Sequence, residues 1–367
     1  IKQLNKMTNR IYHRDTCRLC GSKNLQLVLP LKPSPLADEY IPKESLNKPQ
    51  DEFPLDLYLC KSCGLAQLLD VVQPQSIYVD YIYESKSSLG LDKHFDNYAE
   101  HVLAYINPPK ESLVVDIGSN DGILLRPFKK RNMRVLGVDP AVSIAQEATK
   151  QGLETLPEFF TVDLAEKIRS DYGPASIITS NNIFANVDNL IEIIHAVRSL
   201  LAEDGVYVIE SFYLLDWMKN MVFDFMYHEH LTYFCVGPLQ KFLNQHGLEL
   251  IHVERVPSKG GSLRYTIQLK GAKRKVNSSV AELLEEEEVF GASKVETFNA
   301  YTKEIEVRKK ALLCELKTIK AKGKKIIGYG ASATSTTMIY HFELQPYLDF
   351  LVDEYEVKQG LYSPGCH

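Results

Sequence analysis

The ten residues Leu113-Val-Val-Asp-Ile-Gly-Ser-Asn-Asp-Gly122 constrain this chain more than any other stretch, because an apolar strand there runs into an acidic, glycine-bearing loop. The hydrophobic pattern around them alternates. A helix over 123–131 follows, then strand Arg134–Val138, helix 141–151, strand 153–156, helix 162–169, strand Ala175–Ser180, helix Leu190–Leu201 and strand Gly205–Glu210. Such a series builds a mostly parallel sheet with helices on both faces, and open sheets of this kind bind ligands at the carboxyl ends of their strands. The fold class is α/β, with the loop after Ile117 at the ligand edge.

Gly118 and Gly122 let the backbone approach a ligand closely, and the amides opening the next helix can hold an anionic group. The second strand ends in Val138-Asp-Pro140, about twenty residues on, where the Asp139 carboxylate can accept bonds from ribose hydroxyls. A nicotinamide-binding domain shares this arrangement. Two details favour the methyl donor S-adenosylmethionine instead: the loop lacks Gly-x-Gly-x-x-Gly, and Asp116 directly precedes Ile-Gly, where it can face the donor's amino-acid part.

Seven cysteines are present, four of them as Cys17-x-x-Cys20 and Cys60-x-x-Cys63. Each second cysteine precedes a glycine, which permits the tight turn of a zinc knuckle. Between Leu25 and Asp56 the chain is proline-rich and aperiodic, so this unit has little core of its own and a structural ion is useful. Four thiolates leave no position for water or substrate, so the expected zinc is structural. Next, residues 77–88 carry tyrosines at 78, 81 and 83, a pattern that suits either a cleft wall or ordinary core packing.

Downstream, Phe223-Asp-Phe-Met-Tyr-His-Glu-His-Leu-Thr-Tyr-Phe234 sets His228 and His230 on either side of Glu229, which supplies bases near the reactive edge. It is not His-Glu-x-x-His, the metalloprotease pattern. Residues 248–269 read as two strands around Lys259-Gly-Gly-Ser-Leu-Arg264, a turn that a hairpin needs anyway and that can also contact phosphate or sugar. Long charged helices over 279–320 precede strand Ile326–Tyr329, the loop Gly328-Tyr-Gly-Ala-Ser-Ala333, a helix, and strand Leu348–Val352 ending at Asp353. This predicts a second, small Rossmann-like unit. The expected division is a zinc-binding domain over 1–75, a methyl-donor domain over 76–247 and a carboxyl-terminal domain over 248–367.

With 42 basic and 47 acidic residues the net charge is −5, which offers no polycationic surface for nucleic acid or anionic lipid. No apolar run approaches the ~18 residues of a membrane helix, and residues 1–14 lack a secretory apolar stretch, so a cytoplasmic location is expected.

Taken together with Tyr227-His-Glu-His230, these motifs in this order resemble the sugar C-methyltransferases that act on nucleotide-linked ketohexoses. That resemblance implies an amino-terminal zinc domain, a central class I Rossmann-like methyltransferase fold and a carboxyl-terminal Rossmann-like domain that helps hold the nucleotide sugar. It implies His230 as general base, with Tyr227, Glu229 and Tyr81 as active-site partners and Tyr83 close in register to Tyr81. Asp116, Gly118, Asn120, Gly122 and Asp139, with the adjoining Pro140, carry over to the donor site. His228, Lys259, Arg264 and Lys358 carry over to the substrate wall, and the partner implied is a ketosugar linked to thymidine diphosphate. Two departures stand out: Gly330-Ala-Ser-Ala-Thr-Ser-Thr-Thr337 lacks a lysine and an asparagine usual in the family, and Asn182-Ile-Phe-Ala-Asn186 ends in asparagine rather than histidine. Oxygen methylation of a sugar, or recognition of a nucleotide sugar without turnover, are the alternative readings.

Overall fold

Short runs of three to five residues, most of them carrying leucine, valine or isoleucine, give the amino-terminal unit its strands. In the computed structural model, which describes residues 10–74, 77 and 90–366, these are β1 (Ile11–His13), β2 (Leu25–Leu29), β3 (Leu57–Cys60), β4 (Ala66–Leu68) and β5 (Asp70–Val72). β2, β3 and β4 pair antiparallel, while β1 pairs with β5. Leu29, Leu57, Leu59 and Leu65 are fully buried between them.

Helix α1 (Leu91–Ile106) follows, burying Phe95, Tyr98, Ala99, Val102 and Ile106 at the spacing of one helical face. Asn107 closes it in a left-handed conformation, ahead of Pro108 and Pro109, which cannot extend it. The alternating series then appears as β6 (Leu113–Ile117), α2 (Leu125–Lys130), β7 (Arg134–Val138), α3 (Val142–Lys150), β8 (Thr155–Leu156) and α4 (Val162–Tyr172). It continues as β9 (Ala175–Asn181), α5 (Leu190–Leu200) and β10 (Leu201–Phe212). The side chains of Thr161 and Asn189 cap α4 and α5 by accepting from Leu164 N and Glu192 N, as the preference of such residues for helix starts requires.

Beyond β10 come α6 (Leu214–Asn220), β11 (Thr232–Tyr233), α7 (Val236–Gln245), β12 (Leu248–Val256) and β13 (Ser262–Leu269). The large sheet has seven strands in the order β12-β13-β10-β9-β6-β7-β8. Five of them, β6 to β10, pair parallel, while β13 runs antiparallel to both β10 and β12. Residues 248–269, assigned on sequence grounds to the carboxyl-terminal unit, are therefore strands of the central sheet. The βα alternation stops at β10, so nothing local in the sequence signals that this hairpin returns to the sheet edge.

The remaining chain forms α8 (Ser278–Phe290), α9 (Val295–Ala321), β14 (Ile327–Tyr329), α10 (Ala333–Phe342) and β15 (Phe350–Val352). β14 and β15 make a two-stranded parallel sheet, the small unit expected. Glu287 of α8 accepts from the amides of Val236 and Gly237 and from Tyr213 Oη at 2.8 Å, so a buried carboxylate from a distant helix caps α7. One strand crosses between units: β11 pairs with β4, making a four-stranded sheet β11-β4-β3-β2. Among the described residues no helix is long and apolar enough to cross a membrane.

Candidate functional site

Cys17, Cys20, Cys60 and Cys63 converge, with one sulfur from each lying within 4.8 Å of every other. Cys17 Sγ is 3.5 Å from Cys63 Sγ, and Cys20 Sγ is 3.6 Å from Cys60 Sγ. Four sulfurs around tetrahedral zinc stand about 3.8 Å apart, given Zn–S bonds of ~2.3 Å, so the cluster fits the ion. The two knuckles repeat one geometry. Gly21 N donates to Cys17 O at 2.9 Å and Gly64 N to Cys60 O at 2.8 Å, both glycines at positive φ. A Cβ on Gly64 would stand 2.8 Å from Ser293 Cβ, so glycine is required there twice over.

At the carboxyl ends of β6, β7, β9 and β10 lies a cavity of about 660 Å³, lined by Asp116, Gly118, Ser119, Asn120, Asp139 and Pro140 among others. Gly118 has φ +72° and its absent Cβ would fall 2.3 Å from Ile183 Cγ1, so the loop can pass here only as glycine. Asp139 is clamped: Oδ2 accepts from Asn120 N at 2.8 Å and Oδ1 from Ala141 N at 2.9 Å. Burial raises its carboxyl above the usual range while those two amides oppose the rise. Asp116 is buried and accepts from Thr179 Oγ1 at 2.6 Å; burial pushes it up to about 7 against that bond, with the Asp139 charge adding to the rise.

The cavity fits the methyl donor on observations independent of the loop's sequence. Both side-chain polar atoms of Asn181 and the Oδ1 of Asn186 are buried on its wall with no hydrogen-bond partner among the described residues. Orphaned amides cost about 1–3 kcal/mol each until something polar satisfies them. Gly122, by contrast, is absent from the described wall: at φ +74° it faces Leu153 Cδ1, 2.5 Å from where its Cβ would stand. Its role is close packing of the loop on α3's return rather than direct approach to a ligand.

Tyr227, Glu229 and His230 line the same cavity, as does Lys259. His230 Nδ1 lies 2.7 Å from Phe225 O. A carbonyl only accepts, so Nδ1 carries the proton and Nε2 keeps the lone pair. The ring is packed between Tyr227, 4.1 Å away by centroids, and Phe212 at 4.7 Å. Burial pulls it to about 3, with the nearby Lys259 charge in the same sense and the Phe225 carbonyl opposing, so the imidazole is neutral throughout the physiological range. The Lys259 turn is braced by Trp217 Nε1 donating to Lys259 O at 2.9 Å and Asn220 Nδ2 to Gly260 O at 3.1 Å.

Other expected substrate contacts fall elsewhere. His228 is buried away from the described wall, its Nε2 3.1 Å from Phe53 O and its ring edge-on to Phe53. Residues two apart diverge in this irregular segment. Arg264 sits behind the wall, where Nε and Nη2 both bind Glu210 Oε2, at 3.2 and 2.9 Å, Nη1 binds Glu254, and the guanidinium lies 4.2 Å over Tyr98. A buried cation is expensive without a partner, and Glu210 supplies one. Lys358 points into the protein, to Asp38 Oδ1 at 2.7 Å and Ala331 O at 2.8 Å, joining the carboxyl-terminal and amino-terminal units. The divergent loop also packs: Thr336 Oγ1 donates to Ala37 O and Thr337 Oγ1 to Met226 O, both at 2.9 Å. Tyr81 and Tyr83 lie outside the described residues.

Sequence reasoning passed over Glu210, which lines the cavity and binds His94 Nε2 at 2.6 Å as well as Arg264. It passed over Asn181 too. An acid closing an otherwise apolar strand, and an asparagine at the end of another, were the available signals, since both ends meet the ligand edge.

Comparison with known proteins adds three family matches. Residues 17–78 match a family described as "Putative zinc binding domain", residues 91–253 one described as "Methyltransferase domain", and residues 257–367 one described as "C-methyltransferase C-terminal domain". The C-methyltransferase NovU of Streptomyces niveus is 32% identical over 357 residues, which cover 96% of this chain and 84% of that protein. Among solved structures, the magnesium protoporphyrin IX methyltransferase of Synechocystis is 16% identical at a TM-score of 0.39, over 54% of this chain and 92% of its own. An S-adenosylmethionine-dependent methyltransferase of Clostridium acetobutylicum is 13% identical at 0.39, over 51% and 94%.

Proposed function

This chain belongs to the family of S-adenosylmethionine-dependent C-methyltransferases that includes NovU, with a structural zinc in its amino-terminal unit, and on that premise we propose that it methylates a carbon of a nucleotide-linked ketodeoxysugar through an enolate formed by His230. The observation that carries the proposal is the His230 tautomer: Nδ1 is tied to Phe225 O at 2.7 Å, which reserves the Nε2 lone pair for a proton in a ring that lines the donor cavity.

Carbon becomes nucleophilic beside a ketone. Neutral His230 takes the α proton at Nε2, the electrons left behind form an enolate, and that negative charge beside the new imidazolium offsets the burial that holds the unliganded ring near 3. Tyr227, its ring tilted against His230 on the cavity wall, would hydrogen-bond the growing oxygen charge, a contribution of about 3 kcal/mol for one well-placed group. Tyr81 is the second candidate donor by family resemblance. Asp139 would hold the donor's ribose hydroxyls, and Asp116 with Asn120 would stand along its amino-acid part. When bound, the donor supplies an electrophilic methyl group on positive sulfur, and the enolate carbon takes that methyl. Glu229 and Lys259, on the same wall, would contact the sugar and its diphosphate. A thymidine diphosphate link is the nucleotide proposed. We take the methyl-transfer unit as 76–247 together with the hairpin 248–269 that pairs onto its sheet, with the zinc unit before it and the helical and small parallel-sheet unit after it.

Incubation with methyl donor and a panel of nucleotide ketosugars, read by mass spectrometry, tests the reaction. A product carrying the new methyl on carbon is expected. A product methylated on oxygen, or binding without any product, rejects the reading.

A further inference from the structure

The reactive segment Tyr227–His230 is held on both sides by the zinc-bearing unit. Before His230, the buried His228 sets Nε2 3.1 Å from Phe53 O. Burial keeps that ring at about 4, hence neutral, and the carbonyl partner makes Nε2 the protonated nitrogen. After His230, Leu68 N donates to Leu231 O at 2.9 Å, and Thr232 and Tyr233 pair with Gln67 and Ala66 as β11 on β4.

The second anchor lies next to metal ligands, and the first, Phe53, belongs to the same unit through its bridge to Ser34. β4 begins three residues after Cys63, and Arg18 lies between Cys17 and Cys20. The fully buried Arg18 side chain sends Nη1 to Leu68 O, to Gln67 Oε1 at 3.2 Å and to Leu231 O at 3.5 Å, while Nε holds Asp188 on the cavity rim at 2.8 Å. A stabilising ion in this unit needs none of these long-range bonds. Their convergence on the residues flanking one histidine demands a reason of its own.

We propose that the zinc-bearing unit is the scaffold that sets His230 in register with the donor cavity, with His228 and Arg18 as positioning residues. The proposal rests on His230 being the base. Beyond holding the amino-terminal unit together, zinc occupancy then fixes the geometry of the reactive segment through β4 and Arg18, while Phe53 of the same unit holds His228.

Trp217, the single tryptophan, is fully buried with ring centroids 5.4 Å from Phe225, 6.1 Å from Tyr233 and 6.5 Å from His230, so its emission reports on this segment. The experiment uses the zinc-loaded full chain. His228→Phe keeps the ring against Phe53 and loses the N–H donor; His228→Gln retains a donor. His228→Phe is expected to keep zinc content and methyl-donor affinity, lower kcat tenfold or more with little change in donor KM, and alter Trp217 emission, with His228→Gln recovering both. Wild-type kcat and emission in His228→Phe overturn the proposal. A second arm removes zinc from the wild type by chelation, confirmed by elemental analysis, with donor present. A shift of Trp217 emission in step with metal loss is expected, and unchanged emission overturns the proposal whatever the variants do. If His230→Ala retains full turnover, the base assignment fails by itself, while the emission arms still decide whether the zinc unit positions the segment.

Discussion

Replacing Asp139 separates donor recognition from fold. Its two oxygens accept from Asn120 N at 2.8 Å and Ala141 N at 2.9 Å, so the carboxylate is already oriented before any ligand arrives. A ribose hydroxyl donating to such a charged acceptor contributes about 1.5–3 kcal/mol, which is roughly a 10- to 150-fold change in Kd. Asp139→Ala also strands two buried amides, each at about 1–3 kcal/mol, so the ligand-free protein should lose up to about 6 kcal/mol of stability if neither finds water. Asp139→Asn keeps one acceptor and should lose less stability while still weakening donor binding. Calorimetric titration with S-adenosylmethionine, on samples shown folded by thermal melting, gives both numbers. Wild-type affinity in either folded variant would refute the assignment, and unchanged melting in Asp139→Ala would refute the reading of the clamp.

A Cys60→Ser, Cys63→Ser double variant should lose zinc and destabilise the amino-terminal unit together, because thiolate ligation couples metal binding to folding; equal zinc content by elemental analysis would exclude the site. Asp116 carries a folded carboxyl near 7 against an ordinary 3.8, so between those values the folded state holds a proton that the unfolded state has released. Stability of the donor-free protein should therefore fall as pH rises from about 4 to 7, by at most about 4 kcal/mol from this group. Asp116→Asn should flatten that slope, and an unchanged slope in denaturant titrations across this range would remove Asp116 as its source.

The donor loop was legible because its signals are local. A strand, two glycines and an acid at the next strand's end lie within one βαβ stretch, and the structure sets Gly118 and Asp139 on the cavity wall. The cysteine pairs were legible for the same reason, each knuckle being a four-residue turn. What the sequence hid depends on distant partners. Arg264 reads as a ligand contact beyond a glycine turn until Glu210, on a strand 54 residues earlier, is seen to neutralise it. His228 and His230 are equivalent by spacing, and only Phe53, 175 residues away, draws one of them out of the site. The hairpin at 248–269 looks like a new unit because antiparallel return to a parallel sheet leaves no periodic mark. Glu210 escaped notice since a carboxylate inside an apolar run reads as a strand end rather than as the shared partner of Arg264 and His94.

Exchange of the substrate's α hydrogen with deuterated water bears most directly on the claim that His230 generates the carbon nucleophile. The measurement compares wild type, His230→Ala and His228→Ala with a ketosugar that the wild type methylates. His230→Ala should keep donor affinity and lose exchange and methyl transfer together, by about 100- to 10,000-fold. Wild-type exchange in His230→Ala would contradict the account, and its loss only in His228→Ala would move the base to the other histidine.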